Sequence, residues 1–227
     1  MSIPMETITA ETELERAGFR WREGEAGVRA IACAPLEDEG FANAFSTRPG
    51  GVSPFPAEAL NLAGFDQDSA ENIRENRRRF IHALGGDWTL AACWQVHGRD
   101  VRVVRDLEDP DSERERCDAL ATDLRGVLLG VKTADCVPVI LGDARTGACA
   151  AVHAGWRGTL AGIVRHALVD LHEANRRQLI ESGVAAERIH ALPLCTMCRP
   201  DLFFSYRQDR KLYGRTGRLL SVIGRRA

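Results

Sequence analysis

The chain has 227 residues, of which 44% are hydrophobic and 27% charged, and its formal net charge is −2 at pH 7. This composition is that of an ordinary globular protein, and the length suits one substantial domain or two small ones. A net charge near zero provides no overall positive field, so we expect neither nucleic acid nor an anionic membrane as a partner.

The N-terminal segment has neither the basic region nor the apolar core of a signal peptide, and no stretch approaches ~18 consecutive apolar residues. The seven cysteines are an odd number, which argues against a disulfide framework. We therefore expect a cytoplasmic protein whose thiols are reduced. Without repeats or linkers, one domain over residues 1–227 is the simplest interpretation, with residues 1–28 set apart as an N-terminal extension.

Two helices are predicted. Ser69 is placed to cap a helix that runs to about Leu84, where Gly85-Gly86 ends it. A second helical stripe begins after Gly158 and continues to about residue 181, but it loses phase beyond residue 171. This loss of phase indicates a kink or two helices joined end to end.

Apolar, β-branched segments predict the strands. Several are continuously apolar rather than alternating, which is typical of strands buried on both faces. The predicted strands cover residues 29–33, 41–45, 91–96, 101–104, 127–131, 137–141, 148–152, 188–194 and 219–223, and residues 48–54 form a turn-rich segment. The alternation of strands and helices predicts an α/β fold.

Three side chains able to bind a metal stand at the ends of these strands: His97, Cys136 and His153. Strand ends of an α/β sheet are where ligand-binding side chains collect. Two imidazoles and a thiolate suit zinc and leave the fourth tetrahedral position open, as in catalytic sites. Taken singly, each residue is better interpreted as a core histidine or an inert thiol, because none of the spacings is a local metal-binding motif.

The turn after His153 is a candidate anion site. Gly155 and Gly158 allow close backbone approach, the following helix presents N–H groups, and Arg157 offers a positive fork for phosphate or carboxylate. An ordinary tight turn with Trp156 packed on the core is the alternative. Arg48 is a second anion-binding candidate by the same argument.

Cys195 and Cys198 form the one Cys-x-x-Cys pair. A redox pair usually opens a helix and a zinc knuckle needs a second ligand pair, so a structural role for these thiols is the better interpretation.

Together these segments resemble a known family, the bacterial proteins once called multicopper polyphenol oxidases or laccase-domain proteins. They are now described as purine nucleoside phosphorylases and, in some bacteria, as peptidoglycan editing factors. The matching motifs are Phe45-Ser-Thr-Arg-Pro-Gly-Gly-Val-Ser53, Leu60-Asn-Leu62, Glu75-Asn-Arg77, Gln95-Val-His-Gly98, Thr133-Ala-Asp-Cys-Val-Pro138, Val152-His-Ala-Gly-Trp-Arg-Gly158, Asp170-Leu171, Ala174-Asn-Arg176, Cys195-Thr196, Phe203-Phe-Ser-Tyr-Arg207 and Thr216-Gly-Arg218.

The resemblance implies a layered α/β sandwich with mixed central sheets flanked by helices. It also implies that His97, Cys136 and His153 bind the metal, zinc rather than copper. The implied activities are phosphorolysis of adenosine, inosine, guanosine and methylthioadenosine, with deamination of adenosine. Asp135, beside Cys136, is a candidate proton shuttle or an orienting group for a ligand histidine, while Arg48, Trp156 and Arg157 are candidates for binding phosphate and substrate.

One family segment is missing. Relatives carry a Gly-Pro-x-Ile-Gly stretch and a Tyr-Glu-Val stretch between the two helices, whereas here residues 167–169 run directly into Asp170-Leu171. Two helices that are normally separate are therefore expected to be fused, with one wall of the substrate pocket affected.

Three functions stay open at this point. The first is a zinc-dependent purine nucleoside phosphorylase that binds nucleoside and phosphate. The second is a zinc hydrolase that edits UDP-muramoyl precursors of peptidoglycan. The third is a metal-stabilised domain left inactive by the missing segment. Copper polyphenol oxidase activity is less well supported, because three ligands provide one mononuclear site. The sequence does not indicate an oligomeric state.

Overall fold

The computed structural model describes residues 10–55, 58–64, 67–106, 115–160 and 171–226. Its helices are α1 (Ala10–Arg16), α2 (Ala34–Asp38), α3 (Ala70–Leu84), α4 (Trp156–Leu160), α5 (Leu171–Glu181) and α6 (Tyr206–Tyr213). Its strands are β1 (Phe19–Glu23), β2 (Arg29–Cys33), β3 (Phe41–Ser46), β4 (Pro49–Ser53), β5 (Thr89–Ala91), β6 (Val101–Val103), β7 (Ala119–Thr122), β8 (Val127–Thr133), β9 (Val137–Gly142), β10 (Cys149–Ala154) and β11 (Leu219–Arg225).

Ten of these strands form two sheets. The first has six strands in the order β1-β2-β3-β11-β8-β5, and the second has four in the order β6-β7-β10-β9. Each sheet is mixed, because β5 pairs with β8 and β6 with β7 in parallel while the other pairs are antiparallel. The α/β sandwich with mixed sheets and flanking helices is thus confirmed.

The main core lies between the two sheets. Leu129 and Val131 of β8 pack there with Leu120 of β7 and Ala151 of β10. The opposite face of the six-stranded sheet packs on helix α3, where Leu128 lies in a cluster with Phe80. Strand β8 is therefore buried on both faces, which explains why its sequence lacks polar alternation.

Helix α3 begins and ends as predicted. The Ser69 Oγ accepts a hydrogen bond from the Asn72 amide at 3.2 Å, which caps the helix. At the other end, Gly85 has a φ of 66° and its N–H donates to the His82 carbonyl.

Two of the predicted strands differ from the structure. Strand β5 covers Thr89–Ala91, whereas the prediction placed this strand at residues 91–96. Beyond Ala91 the side chain of Gln95, not its backbone, pairs with β8. Its amide nitrogen donates to the Lys132 carbonyl, and its amide oxygen accepts from the Lys132 backbone N–H. The predicted strand at 188–194 is absent, and the described chain there has a 3₁₀ turn at Ala186–Arg188 followed by irregular backbone.

Three strands were not predicted. Strand β4 forms within the turn-rich segment, β1 pairs along β2 at the sheet edge, and β7 pairs with both β6 and β10. Within the part of residues 1–28 that is described, Leu14 and Phe19 are buried. The helix fusion predicted near residue 171 concerns residues 161–170, which lie outside the described ranges.

All seven cysteines are free, and Cys33, Cys93, Cys117 and Cys149 are buried. Burial raises the pKa of the Cys149 thiol to about 11, so it stays protonated. In the described ranges, no helix combines the length and the apolar character needed to cross a bilayer.

Candidate metal centre

His153 is held in place by a carboxylate that the sequence did not single out. Strand β10 pairs with β7 so that Val152 lies opposite Ala119, which places His153 beside Asp118. Its Nδ1 lies 2.7 Å from Asp118 Oδ1, and both side chains are buried. Because a carboxylate only accepts hydrogen bonds, Nδ1 carries the proton and Nε2 is the atom that can bind a metal.

The electrostatics of this pair are consistent with a neutral imidazole beside a carboxylate. Burial alone raises the pKa of Asp118, but hydrogen bonds from His153 and from backbone amides outweigh it and hold that pKa below its ordinary value. Burial lowers the pKa of His153, and the nearby His97 lowers it further, although Asp118 opposes both effects. The imidazole therefore stays neutral near pH 7, as a metal ligand must.

Asp118 also fixes the loop that carries His97. Its carboxylate accepts from the amides of Val96, His97 and Gly98 at 3.2, 2.9 and 2.7 Å. His97 itself adopts a φ of 60°, a left-handed conformation that non-glycine residues rarely occupy. One buried carboxylate thus positions two of the predicted ligands.

Cys136 lies in the link that crosses from β8 of the first sheet to β9 of the second. Its Sγ is 3.7 Å from His97 Nε2 and accepts a hydrogen bond from the Trp156 amide at the start of α4. Burial raises the pKa of the free thiol, with Asp135 adding to this effect. The helix N-terminus and a bound cation both favour the thiolate instead.

These three residues fit a metal ion. One ligand atom from each of His97, Cys136 and His153 lies within 4.8 Å of the others. Bonds of ~2.1 Å to nitrogen and ~2.3 Å to sulfur need ligand atoms a little closer than this, and the three residues would occupy three of the four positions of a tetrahedral site. Imidazole and thiolate are ligand types that bind transition metals, and Asp118 stands behind one imidazole as the partners of ligand histidines do.

The absence of a side chain at Gly155 allows the His97 and His153 rings to lie close together. A Cβ added at Gly155 would lie 2.6 Å from His97 Cδ2 and 3.3 Å from His153 Cε1. The His97 and His153 rings themselves meet edge to face with centroids 4.8 Å apart. The glycine therefore leaves room for a ligand imidazole. From the sequence, the same glycine was expected to allow the backbone to approach an anion.

Asp135 is turned towards other parts of the chain. Its Oδ1 accepts from Thr196 Oγ1 at 2.9 Å and its Oδ2 from the Arg207 amide at 2.8 Å. It too has a positive φ, of 77°. These contacts connect the Cys136 loop to Thr196 and to the start of α6. The carboxylate that orients a ligand histidine is therefore that of Asp118 and not that of Asp135.

The three residues predicted to bind phosphate and substrate differ in how far they are exposed. Trp156 and Arg157 are exposed, and the guanidinium of Arg157 lies 5.2 Å from the Trp156 ring, so Trp156 is not packed over the core. Arg48 is half-buried and its backbone is bonded to Leu202 and Leu60. The pKa of Asp201 is lowered mainly by Arg199, with a smaller contribution from Arg48, which places Arg48 within electrostatic range of Asp201.

Cys195 and Cys198 are both exposed, so they are not core thiols. A hydrogen bond from the Cys198 thiol lowers the pKa of Cys195. Thr196, between them, is the residue that bonds Asp135.

A cavity of 910 Å³ borders the Cys136 loop. Its walls include Asp135, Cys136, Phe45, Pro138 and Phe203, and it extends along β9 to the irregular segment after Arg188. Its size is within the usual range for a small-molecule site.

The fold and the cluster define a class of protein, an α/β sandwich with a His-Cys-His group that can hold a metal at the junction of its two sheets. The family model described as multi-copper polyphenol oxidoreductase laccase matches residues 42–169 and 165–226. The chain belongs to this family.

Individual proteins are also similar to this chain over most of its length. A protein named purine nucleoside phosphorylase YlmD from Geobacillus stearothermophilus is 29% identical over 86% of this chain and 94% of its own length. One named purine nucleoside phosphorylase YfiH from Shigella flexneri is 31% identical over 82% of this chain and 94% of its own length. The crystal structure of YlmD superimposes with a TM-score of 0.77 at 28% identity, covering 91% of this chain and 99% of that one.

The comparisons also bear on the missing segment. The alignment with YlmD runs over 263 positions, more than the 227 residues of this chain, so YlmD has residues without a counterpart here. The family model matches in two parts that meet at residues 165–169. This break coincides with the point where the sequence predicts the deletion.

Proposed function

We propose that the chain is a zinc-dependent purine nucleoside phosphorylase. The observation that carries the proposal is the His97, Cys136 and His153 cluster with Asp118 behind it, in a chain whose relatives are named purine nucleoside phosphorylases. His97 Nε2, Cys136 Sγ and His153 Nε2 would hold the ion. When bound, zinc supplies a Lewis acid that stabilises negative charge developing on an oxygen.

The reaction exchanges two bonds at the ribose. An oxygen of hydrogen phosphate bonds to C1′ while the bond from C1′ to the purine nitrogen breaks, and the electron pair of that bond passes to the base. The proton of hydrogen phosphate completes the free purine, so the products are a purine and ribose 1-phosphate. The protein's task is to hold phosphate and nucleoside in line, which by itself is worth several kcal/mol of the barrier.

The surrounding residues divide this task. Asp118 fixes the tautomer and orientation of His153, and the same carboxylate holds the His97 loop. Arg157 follows Trp156, whose amide is bonded to Cys136, and its exposed guanidinium is assigned to phosphate binding. Asp135, with both carboxylate oxygens hydrogen-bonded elsewhere, is assigned to positioning Cys136 rather than to proton transfer. The cavity beside Cys136 provides space for the nucleoside.

The test is a metal analysis followed by a product assay. Purified protein is expected to contain about one zinc per chain and to release hypoxanthine and ribose 1-phosphate from inosine only when phosphate is present. Ammonia release from adenosine, in the same assay, measures deamination. Stoichiometric zinc without turnover of any purine nucleoside would contradict the proposal and favour a non-catalytic metal-stabilised domain. Copper in place of zinc would contradict the choice of metal.

A further inference from the structure

Strands β3, β11 and β8 are neighbours in the six-stranded sheet, and β8 leads into the loop that carries Cys136. Strand β11 pairs with β8 so that Leu219 lies opposite Thr133. Arg218 therefore precedes β11 at the place where β8 leads into the Cys136 loop. On the other side, the Leu220 amide donates to Ser46 Oγ at the end of β3, two residues before Arg48.

The backbone of Arg218 is firmly held. Its amide donates to Asn61 Oδ1 at 2.9 Å, and its carbonyl accepts from the Leu62 amide at 3.0 Å. The Leu60 amide bonds the Arg48 carbonyl, so one segment, Leu60-Asn61-Leu62, connects both arginines, and all three of its side chains are buried. This explains why a Leu-Asn-Leu motif accompanies the two arginine motifs in the sequence.

The residues before Arg218 are also fixed. Thr216 Oγ1 donates to the buried Asp209 at 2.7 Å. At Gly217, an added Cβ would lie 2.6 Å from the ring of Phe204, so a side chain at this position would displace the turn. Arg218 is thus presented from a rigid part of the fold, as a binding residue needs to be.

The guanidinium of Arg218 is half-buried and lies 5.7 Å from the Tyr206 ring, with Nη1 donating to the Gly217 carbonyl at 3.0 Å. Because Leu219 pairs with Thr133, and Cys136 follows Thr133 by three residues, the base of the Arg218 side chain lies beside the start of the Cys136 loop.

We propose that Arg218 binds the phosphate oxyanion beside the metal cluster. A guanidinium has five N–H donors in a planar fork that matches two oxygens of phosphate. Arg218 approaches from the ends of β11 and β8, whereas Arg157 approaches from α4. The inference rests on the proposed function, because it assigns a phosphate site for that same reaction.

The experiment compares zinc-loaded wild-type chain with Arg218→Gln, Arg218→Lys and the control Arg215→Gln. Arg215 is exposed three residues away and stacks on Phe55. Inorganic phosphate is titrated calorimetrically, and the KM values for phosphate and for inosine are measured with the zinc content of each variant. We expect Arg218→Gln to weaken phosphate binding on the order of ten- to a hundredfold. Zinc content and the KM for inosine should stay within about twofold of the wild type.

Arg218→Lys, which keeps the charge but not the fork, should bind phosphate with intermediate affinity, and it also serves if Arg218→Gln fails to fold. Phosphate affinity within twofold of the wild type in both variants, loss of zinc from either, or no phosphate binding by the wild type would overturn the assignment. Phosphate binding that depends on Arg218 without any phosphorolysis would leave the anion site standing and reject the proposed function instead.

Discussion

Asp118 Oδ1 lies 2.7 Å from His153 Nδ1, and the same carboxylate accepts from the amides of three consecutive residues, 96–98. A single buried acid therefore connects the strand that carries one imidazole with the loop that carries another. The four contacts make the geometry of the metal cluster depend on a residue that is not itself a ligand.

Replacing Asp118 by Asn should weaken zinc binding roughly 10- to 100-fold, because partners of ligand histidines contribute that much to metal affinity. The substitution also weakens hydrogen bonds to a buried charged acceptor, so the free energy of unfolding should fall by about 1.5–3 kcal/mol. Competition with a chromophoric chelator and urea unfolding measure the two effects. Asp123→Asn, at an exposed position five residues along, should change neither. Unaltered zinc affinity in Asp118→Asn would show that the contact is incidental.

Gly155→Ala should reduce zinc content with little loss of secondary structure, because the new Cβ would meet the His97 ring at 2.6 Å. The matched control is Gly98→Ala in the His97 loop, where the nearest atom to an added Cβ is 3.4 Å away. Zinc per chain and far-UV circular dichroism distinguish the two. Equal zinc content in both variants would contradict the steric role of Gly155.

Loss of a ligand should abolish both catalysis and metal-dependent stability. In the wild type, zinc at 100-fold excess over its Kd should contribute about 2.7 kcal/mol and raise the Tm by about 5 °C or more. Cys136→Ala and His153→Ala should show neither this shift nor phosphorolysis. Cys198→Ala, at an exposed thiol, should behave like the wild type. A zinc-induced Tm shift that survives in both ligand variants would place the metal elsewhere.

Arg157→Ala should raise the KM for phosphate several-fold and leave the zinc content unchanged, because the exposed guanidinium contacts no ligand atom in the structure. Arg145→Ala is the control, since Arg145 is exposed and pairs only weakly with Asp143 of its own turn. Steady-state kinetics at varied phosphate decide the question. A parallel loss of zinc and activity would contradict a role in phosphate binding.

Asn76→Ala should destabilise the fold by about 2–4 kcal/mol, because truncation leaves several buried backbone groups without partners. The buried Asn76 amide donates to Ser53 Oγ and to the Asn61 carbonyl, both at 2.9 Å, and accepts from the Val52 amide at 2.8 Å. Arg78→Ala on the same helix disrupts an exposed pair with Glu75 and should leave the unfolding midpoint close to that of the wild type. Urea unfolding of both variants gives the comparison, and similar midpoints would refute the role of Asn76.

The sequence determined the parts of this protein that depend on local periodicity and on motifs. Helix α3 with its Ser69 cap and the apolar strands β2, β3, β8 and β11 follow from side-chain order. Cys136 lies directly before β9 and His153 near the end of β10, as predicted, whereas His97 lies in the loop after β5 rather than at a strand end. The motifs together also indicated the family and the place of the deletion. None of these conclusions needs the relative position of residues far apart in the chain.

Only the tertiary structure decided which groups surround the three ligand residues. Asp118 precedes His153 by 35 residues, and nothing in its neighbourhood distinguishes it until β7 and β10 pair. Arg218 lies beside the start of the Cys136 loop because β11 pairs with β8, an arrangement that the sequence does not reveal. The physical reason is the same in both cases: strand pairing brings together residues with no local relation, and burial then gives those contacts their strength.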